Sequence, residues 1–443
     1  MGPLSLQDGI TKAGSPIKML WKPGAAPWTP EVVEKEYAGW RPEQTAWHEG
    51  VALSDLSHHM YDLFIDGPDA TKLLAAVSAN NYEKFAIGQA KQIVPVTRDG
   101  YIVTDGILAR LGEQRYTLSG IPASQHWVQW HGEQGGYDVS FTTDPSSAYR
   151  PGGGDPALFR FQVQGPLAQQ VVESVFGGPL PPTKFFHTAE VTLAGRRFRA
   201  LRHGMAGQAG YEFIGDWTDG AYVKEALLKA GEPLGIVHVG ALAYTTASVE
   251  SGWIPSPTPA IYTDPELDSY RRWLPLFGIE GQRPLHGSLF SANIEDYYVT
   301  PYELGYGRLV HLDHDFIGRE ALVKAKDNAR FTKVTLVLDN EDARRVIGDG
   351  TDPGFVLSYA RQRIETTGGD LIGSTYHTAS LHPYDAILAL SLIDPGHTTP
   401  GTTVEVVWGD APGTGESVDL PRIRATVQPT PYNEHARTAY RRN

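Results

Sequence analysis

Histidines and carboxylates fall in small groups along this 443-residue chain, and metal or acid–base chemistry is what such groups first suggest. His58-His59 is the most suggestive pair. Neighbours on a strand point to opposite faces, so one packed ring and one pocket-facing ring is the simpler expectation. His311-Leu312-Asp313-His314-Asp315 stands just before an apparent helix at Gly318, where capping and solvation account for its polarity. There is no HExxH pair, and no metal is expected. The glycines of Gly204-Met205-Ala206-Gly207-Gln208-Ala209-Gly210 lack dinucleotide-loop spacing, and the Tyr211-Glu212-Phe213-Ile214 that follows reads as a strand rather than a helix. They read as a turn feeding that strand. An unpaired buried carboxylate is costly, so Glu212 is either an exposed strand residue or a ligand-holding one, and spacing leaves both open. Ser119 and Ser251 lie near glycines without forming the G-x-S-x-G elbow. The absence of cysteine removes thiol nucleophiles, Cys-ligated zinc, iron–sulfur clusters and disulfides together. Aromatic residues crowd between 244 and 306, Trp253 among them, but such crowding is ordinarily core.

The elements that must carry these residues are mixed. Asp62-Leu63-Phe64-Ile65-Asp66 reads as a strand, and Gly67-Pro68 then opens a helix with Leu73, Leu74 and Val77 on one face. A second helix spans 221–230, and 101–111 with 115–119 reads as a hairpin around Gly112. This mixture favours an α+β fold. Beyond Gly318-Arg319-Glu320-Ala321-Leu322 short strands take over, at 334–338, 386–392, 403–408 and 423–427. A boundary near 330 follows, with 1–330 as one α+β region and 331–443 as a small all-β, barrel-like domain. Apolar residues at 41% and charged residues at 20% exclude disordered and collagen-like chains. With 38 Lys plus Arg against 51 Asp plus Glu, the net charge is −13, and no basic block is set apart. Nucleic acid and membrane are therefore not expected partners. No leader segment opens the chain, and the near-apolar stretch 234–244 is too short to cross a bilayer, so a cytoplasmic location is expected.

The order of phrases says more than any one of them. Lys91-Gln92-Ile93-Val94-Pro95-Val96, Asp105-Gly106, Arg202-His203-Gly204-Met205-Ala206-Gly207 and Gly210-Tyr211-Glu212 come first. Glu250-Ser251-Gly252-Trp253-Ile254-Pro255-Ser256-Pro257, Asn293-Ile294-Glu295-Asp296-Tyr297-Tyr298, Thr300-Pro301-Tyr302-Glu303-Leu304-Gly305-Tyr306-Gly307 and Phe316-Ile317-Gly318-Arg319-Glu320-Ala321-Leu322 follow. This series resembles the aminomethyltransferase (glycine-cleavage T-protein) superfamily. Within it, the 250–257 and 293–298 phrases are similar to tetrahydrofolate-dependent aryl O-demethylases of the vanillate and syringate type.

The resemblance implies folate-binding α+β lobes with a C-terminal β-barrel-like domain, and tetrahydrofolate as acceptor of a methyl group from a methoxylated small molecule. No obligatory protein partner is expected. Glu212 matches the carboxylate that grips the amino-pyrimidine edge of a pterin, a role suited to an acceptor of two parallel N–H bonds. Asp105 matches the aspartate near the reacting nitrogen. Trp253 is expected along the cofactor and Gln164 to offer an amide contact. Tyr244 takes the place of an arginine in aminomethyltransferases and matches the tyrosine of the O-demethylases. A phenol of reference pKa about 10 suits proton donation to a departing aryloxide, so Tyr244 and Asp105 are the expected catalytic residues. On the substrate side His59 keeps its match. Leu56 stands where the demethylases have glutamine, Ile121 where they have a carboxylate-binding arginine, and Ala25, Ala26, Pro27 and Trp28 where tyrosines are expected. An alkyl chain in place of a guanidinium points to a substrate without a benzoate carboxylate. Folate-dependent S- or N-demethylation, aminomethyl transfer and a non-catalytic folate-binding role are the alternatives.

Overall fold

A computed structural model describes residues 3–28, 30, 32–146, 150, 154–255 and 257–440; Ser256 of the 250–257 phrase lies outside them. Two lobes with similar logic come first, each a largely antiparallel sheet backed by helices. The first sheet orders its strands Val237–Val239, Ala52–Asp55, Leu158–Gln164, Gly210–Asp216, Arg196–Arg202, Thr188–Leu193, with one parallel pair between the first two. The second orders Ala90–Ile93, Gly106–Gly112, Arg115–Gly120, Tyr61–Asp66, Ser140–Asp144, all antiparallel.

Period-two alternation decides which face each sheet gives to its helices. In the first, Leu53, Phe159, Phe161, Val163, Phe198 and Phe213 pack against the helices Ala168–Phe176 and Trp217–Gly231. In the second, Leu63, Ile65, Leu108, Tyr116 and Leu118 pack against Ala70–Val77 and Pro122–Gln134. The first of these helices begins at Ala70, after the N-cap Asp69, so Pro68 precedes the cap instead of occupying the first turn. The edges of the two sheets are stitched together: Ala90 N–H donates to Phe186 O and Thr188 N–H to Gly88 O.

The third unit is a closed six-stranded barrel. Its ring runs Leu371–Leu381, Arg363–Glu365, Thr403–Val407, Arg422–Gln428, Thr332–Leu338, Ala386–Ile393 and back to Leu371–Leu381. Gln44 binds it to the lobes from a buried position. Its Nε2 donates to Thr246 Oγ1 and to Ser380 O, and its Oε1 accepts from His382 N. Among the described residues no helix is long and apolar enough to cross a membrane.

Buried imidazoles give this fold an acid-side weakness. Burial holds His59 down at about 4 and His377 at about 3, the latter also repelled by Arg283, against 6.5 in the free side chain. Below pH ~6.5 the unfolded chain binds protons that the folded chain refuses, so stability is full above that pH and falls as pH drops towards the folded values. His377, fully buried, and His59, whose ring nitrogens are buried, are each expected to withdraw roughly 2 kcal/mol by pH 5. Urea midpoints at pH 7.5 and pH 5 should show the loss, and His377→Gln should reduce the difference between them.

Candidate active site

The strand Leu158–Gln164 reads Leu-Phe-Arg-Phe-Gln-Val-Gln, and its aromatic half goes to the helices. The other half, Arg160, Gln162 and Gln164, forms a polar face that is nevertheless buried. Register places Ser54 and Glu212 on either side of Gln162, so three buried polar residues lie in one row across three strands. The loop that the Gly204–Gly210 run forms closes over the end of this strand: Met205 N–H donates to Gln162 Oε1 at 3.3 Å and Ala206 N–H to Gln164 Oε1 at 3.1 Å. Each glutamine thereby spends its carbonyl and keeps its amide. Gln162 Nε2, Gln164 Nε2 and Ser54 Oγ are buried with no hydrogen-bond partner among the described residues. Buried polar atoms are almost always bonded, so a row of unbonded ones calls for a partner that the described residues do not supply. A pterin, with its alternating ring nitrogens and amides, fits such a row.

Glu212 is not the isolated carboxylate its sequence position suggested. Its Oε1 accepts from Arg160 Nη1 at 3.0 Å, and the opposite side of that guanidinium grips Asp62 of the second sheet at 3.0 and 3.2 Å. Burial works against the charge on Arg160, but the two carboxylates outweigh it and raise the arginine's pKa.

Tyr244 sits in the first turn of the helix Ala241–Ser251. That helix start is fixed by Glu43, whose Oε2 accepts from Gly240 N at 3.0 Å while Oε1 accepts from Tyr37 N and Ala38 N. A carboxylate at this end suits the positive pole of the helix. A Cβ at Gly240 would overlap the carbonyl of Lys35, a backbone atom with nowhere to go. Gly240→Ala is therefore expected to cost about 1–3 kcal/mol and to lower turnover by shifting Tyr244; thermal melting and kinetics on one preparation check both.

His58 and His59 lie in a turn after the strand Ala52–Asp55, not on the strand itself. They still part company, His58 edge-on to Trp217 at 5.4 Å and His59 edge-on to Tyr244 at 5.2 Å. Both ring nitrogens of His59 are buried without a partner. Leu56 opens the same turn and is fully buried. Ile121 follows the strand Arg115–Gly120, whose last residue pairs with both Tyr61 and Gly106, the residue after Asp105. Among the described residues no three His, Cys, Asp or Glu side chains gather for a metal ion.

Asp105 is buried at the start of the strand Gly106–Gly112. Three donors converge on its Oδ2: Trp253 Nε1 at 2.7 Å, Tyr306 OH at 3.1 Å, and Gln92 Nε2. Burial pushes its carboxyl pKa up, against those donors. Trp253 thus has its indole N–H tied to Asp105, a role the sequence did not suggest. It reaches there because Gly252, at φ +72°, ends the Tyr244 helix in the left-handed region that glycine tolerates.

Sequence reasoning missed Arg160, Gln162 and Ser54. The usable signal was the strand itself, whose polar residues alternate with phenylalanines too large to be anything but core. A cavity of about 1050 Å³, lined by Tyr211, Arg202, Lys184 and Leu180, lies on the helix side of the first sheet and includes none of Tyr244, Asp105, Glu212 or His59.

Residues 25–257 match the family model described as the GCVT N-terminal domain. Syringate O-demethylase from Sphingobium sp. is 36% identical, with 98% of this chain and 97% of that protein aligned. Sesamin methylene transferase from Sinomonas sp. is 30% identical over 90% of each, and an aminomethyltransferase from Streptomyces avermitilis 27% identical over 83% of this chain and 87% of that one. The glycine cleavage system aminomethyltransferase T of Bartonella henselae superposes with a TM-score of 0.65 at 18% identity, covering 96% of both chains, and so shares the fold. With its two lobes, its closed barrel and this sequence kinship, the chain belongs to the GCVT family and to its transferase enzymes.

Proposed function

We propose that the chain is a tetrahydrofolate-dependent O-demethylase, moving a methyl group from a methoxylated aromatic substrate to tetrahydrofolate and leaving a hydroxylated product and 5-methyltetrahydrofolate. Tetrahydrofolate, when bound, supplies the nitrogen that takes the methyl carbon. Glu212 accepts from the amino-pyrimidine edge, and the idle amides of Gln162 and Gln164 donate to the ring's acceptors. Asp105, held by its three donors, is the carboxylate assigned to the reacting nitrogen. Trp253 acts by fixing Asp105. Tyr244 donates its proton to the ether oxygen as the aryloxide departs, and the proton shed by the methylated nitrogen returns the phenol to its acid form through solvent, with His59, Leu56 and Ile121 around the substrate.

One observation carries this reading: Tyr244 stands half-buried and edge-on to His59, within electrostatic reach of both Glu212 and Arg160. This nearness supports a reading in which an acid for the leaving group and a carboxylate for the pterin act side by side. Kinship to a syringate O-demethylase supports the same assignment. Aminomethyl transfer is the second reading, supported by the more distant aminomethyltransferases. It gives the Tyr244 hydroxyl nothing to do.

The test incubates purified protein with tetrahydrofolate and a panel of methoxyarenes, neutral and carboxylated, syringate and vanillate included. Mass spectrometry scores 5-methyltetrahydrofolate. Methyl transfer from at least one methoxyarene is expected. Leu56 and Ile121 supply no cation, so neutral methoxyphenols should turn over faster than vanillate. Equal rates would overturn that preference, and no methyl transfer across the panel would overturn the assignment.

A further inference from the structure

Arg160 touches Glu212, the opposite lobe and the turn that carries His59 together. Its guanidinium is buried between carboxylates of two different sheets, Glu212 on the first and Asp62 on the second. Ser119 Oγ donates to Asp62 and lies 3.3 Å from Arg160 Nη2, closing the far side. The backbone of Arg160 is engaged as well. Its N–H donates to Ser57 Oγ at 3.0 Å and its carbonyl accepts from Leu56 N at 2.8 Å, which holds the turn that presents His59.

We propose that Arg160 is a positioning residue for folate recognition: by pinning Oε1 of Glu212 across the seam between the lobes, it sets the plane of that carboxylate and leaves Oε2 as the oxygen offered to the ligand. The proposal rests on the folate reading of Glu212 given above. Two features separate this from a plain structural ion pair. A single Nη1–Oε1 bond holds the carboxylate from one side, and no bond from the guanidinium reaches Oε2. The fork's other half is anchored to the opposite lobe, so the carboxylate's direction is set by how the lobes meet.

The experiment measures tetrahydrofolate affinity by calorimetry, and KM with kcat in the methyl-transfer assay, for five proteins: the wild type, Glu212→Gln, Arg160→Lys, the pair Asp62→Asn with Arg160→Gln, and that pair combined with Glu212→Gln. The pair removes one carboxylate with the guanidinium, so the cluster keeps a formal charge of about −1 and folding is not confounded by two bare anions. Affinity should fall about tenfold in the pair, with KM rising and kcat at saturation nearly unchanged. Arg160→Lys keeps the charge without the fork and should fall several-fold, a second reading should the pair fail to fold. In the Glu212→Gln background the pair should cause no further loss, because Arg160 acts through that carboxylate. Additive losses, or unchanged affinity in both Arg160 variants while Glu212→Gln weakens binding, would overturn the positioning role and leave the folate reading standing. Unchanged affinity in Glu212→Gln would overturn the folate reading and the proposal with it.

Discussion

Tyr244→Phe should retain tetrahydrofolate affinity and fold, and lose methyl transfer from aryl ethers by about 10²–10⁴-fold, the range typical of a lost general acid. Burial comes first among the influences on this phenol and pushes its pKa well above that of free tyrosine; the Glu212 carboxylate adds to the rise and Arg160 opposes it. The hydroxyl is thereby kept protonated across all working pH. Tyr244 is therefore not the unshifted phenol its residue type implies, and its match to a phenol leaving group holds only when the burial of both is counted. An aryloxide leaving beside Tyr244 suffers much the same desolvation as a tyrosinate would. The two oxygens rise together, so the proton transfer stays nearly balanced. With the phenyl ring retained, the packing of Ala52, Val239 and Met205 around it is undisturbed, which limits the stability change. The check compares single-turnover rates with an ether and with a substrate whose leaving group needs no proton, such as a sulfonium. Loss with the ether alone supports proton donation. Equal rates with the wild type on the ether would end the role of Tyr244.

Much of this architecture was legible in the chain, and what was hidden has a common cause. Strands that alternate in period two, such as Thr403–Val407 and Arg422–Gln428, announce themselves because one face is core and the other is not. Leu371–Leu381 does not, because it is buried on both faces and carries Ser374, Thr375, His377, Thr378 and Ser380. Several of its polar atoms are matched by other elements, as His377 Nδ1 is by Ser248 Oγ at 2.8 Å. Periodicity cannot register such pairing. Arg160 was invisible for the same reason, since Glu212 and Asp62 lie 52 and 98 residues from it. Glu212 and Asp105 stood out through their phrases. Their surroundings, a shared guanidinium for one and a cage of three donors for the other, exist only once the lobes are folded.

That cage makes Asp105→Asn the most informative single change after Tyr244→Phe, because stability and activity should move in opposite directions. Desolvation raises the Asp105 carboxyl pKa in the fold despite the bonds from Gln92, Trp253 and Tyr306. A raised carboxyl pKa means that the folded state holds its proton more tightly than the unfolded chain does. Keeping Asp105 ionised at neutral pH therefore costs stability, and the cost disappears as pH falls through the folded value. Asparagine is isosteric, carries no charge, and its carbonyl can accept from Trp253 and Tyr306 in place of Oδ2. Its melting temperature at pH 7.5 should accordingly equal or exceed that of the wild type, and the pH dependence of stability attributable to this site should vanish. Activity should fall by about 10²–10³-fold, the usual loss when a fixed charge facing a reacting centre is removed. In the wild type the acid limb of kcat/KM should lie above the ordinary carboxylate range, reporting the raised pKa, and Asp105→Asn should abolish that limb. Such a divergence is the signature of a charge retained for chemistry at the expense of the fold. A variant that is both less stable and less active would make Asp105 a structural hub for Trp253 and Tyr306, and the acid limb would then belong to another group.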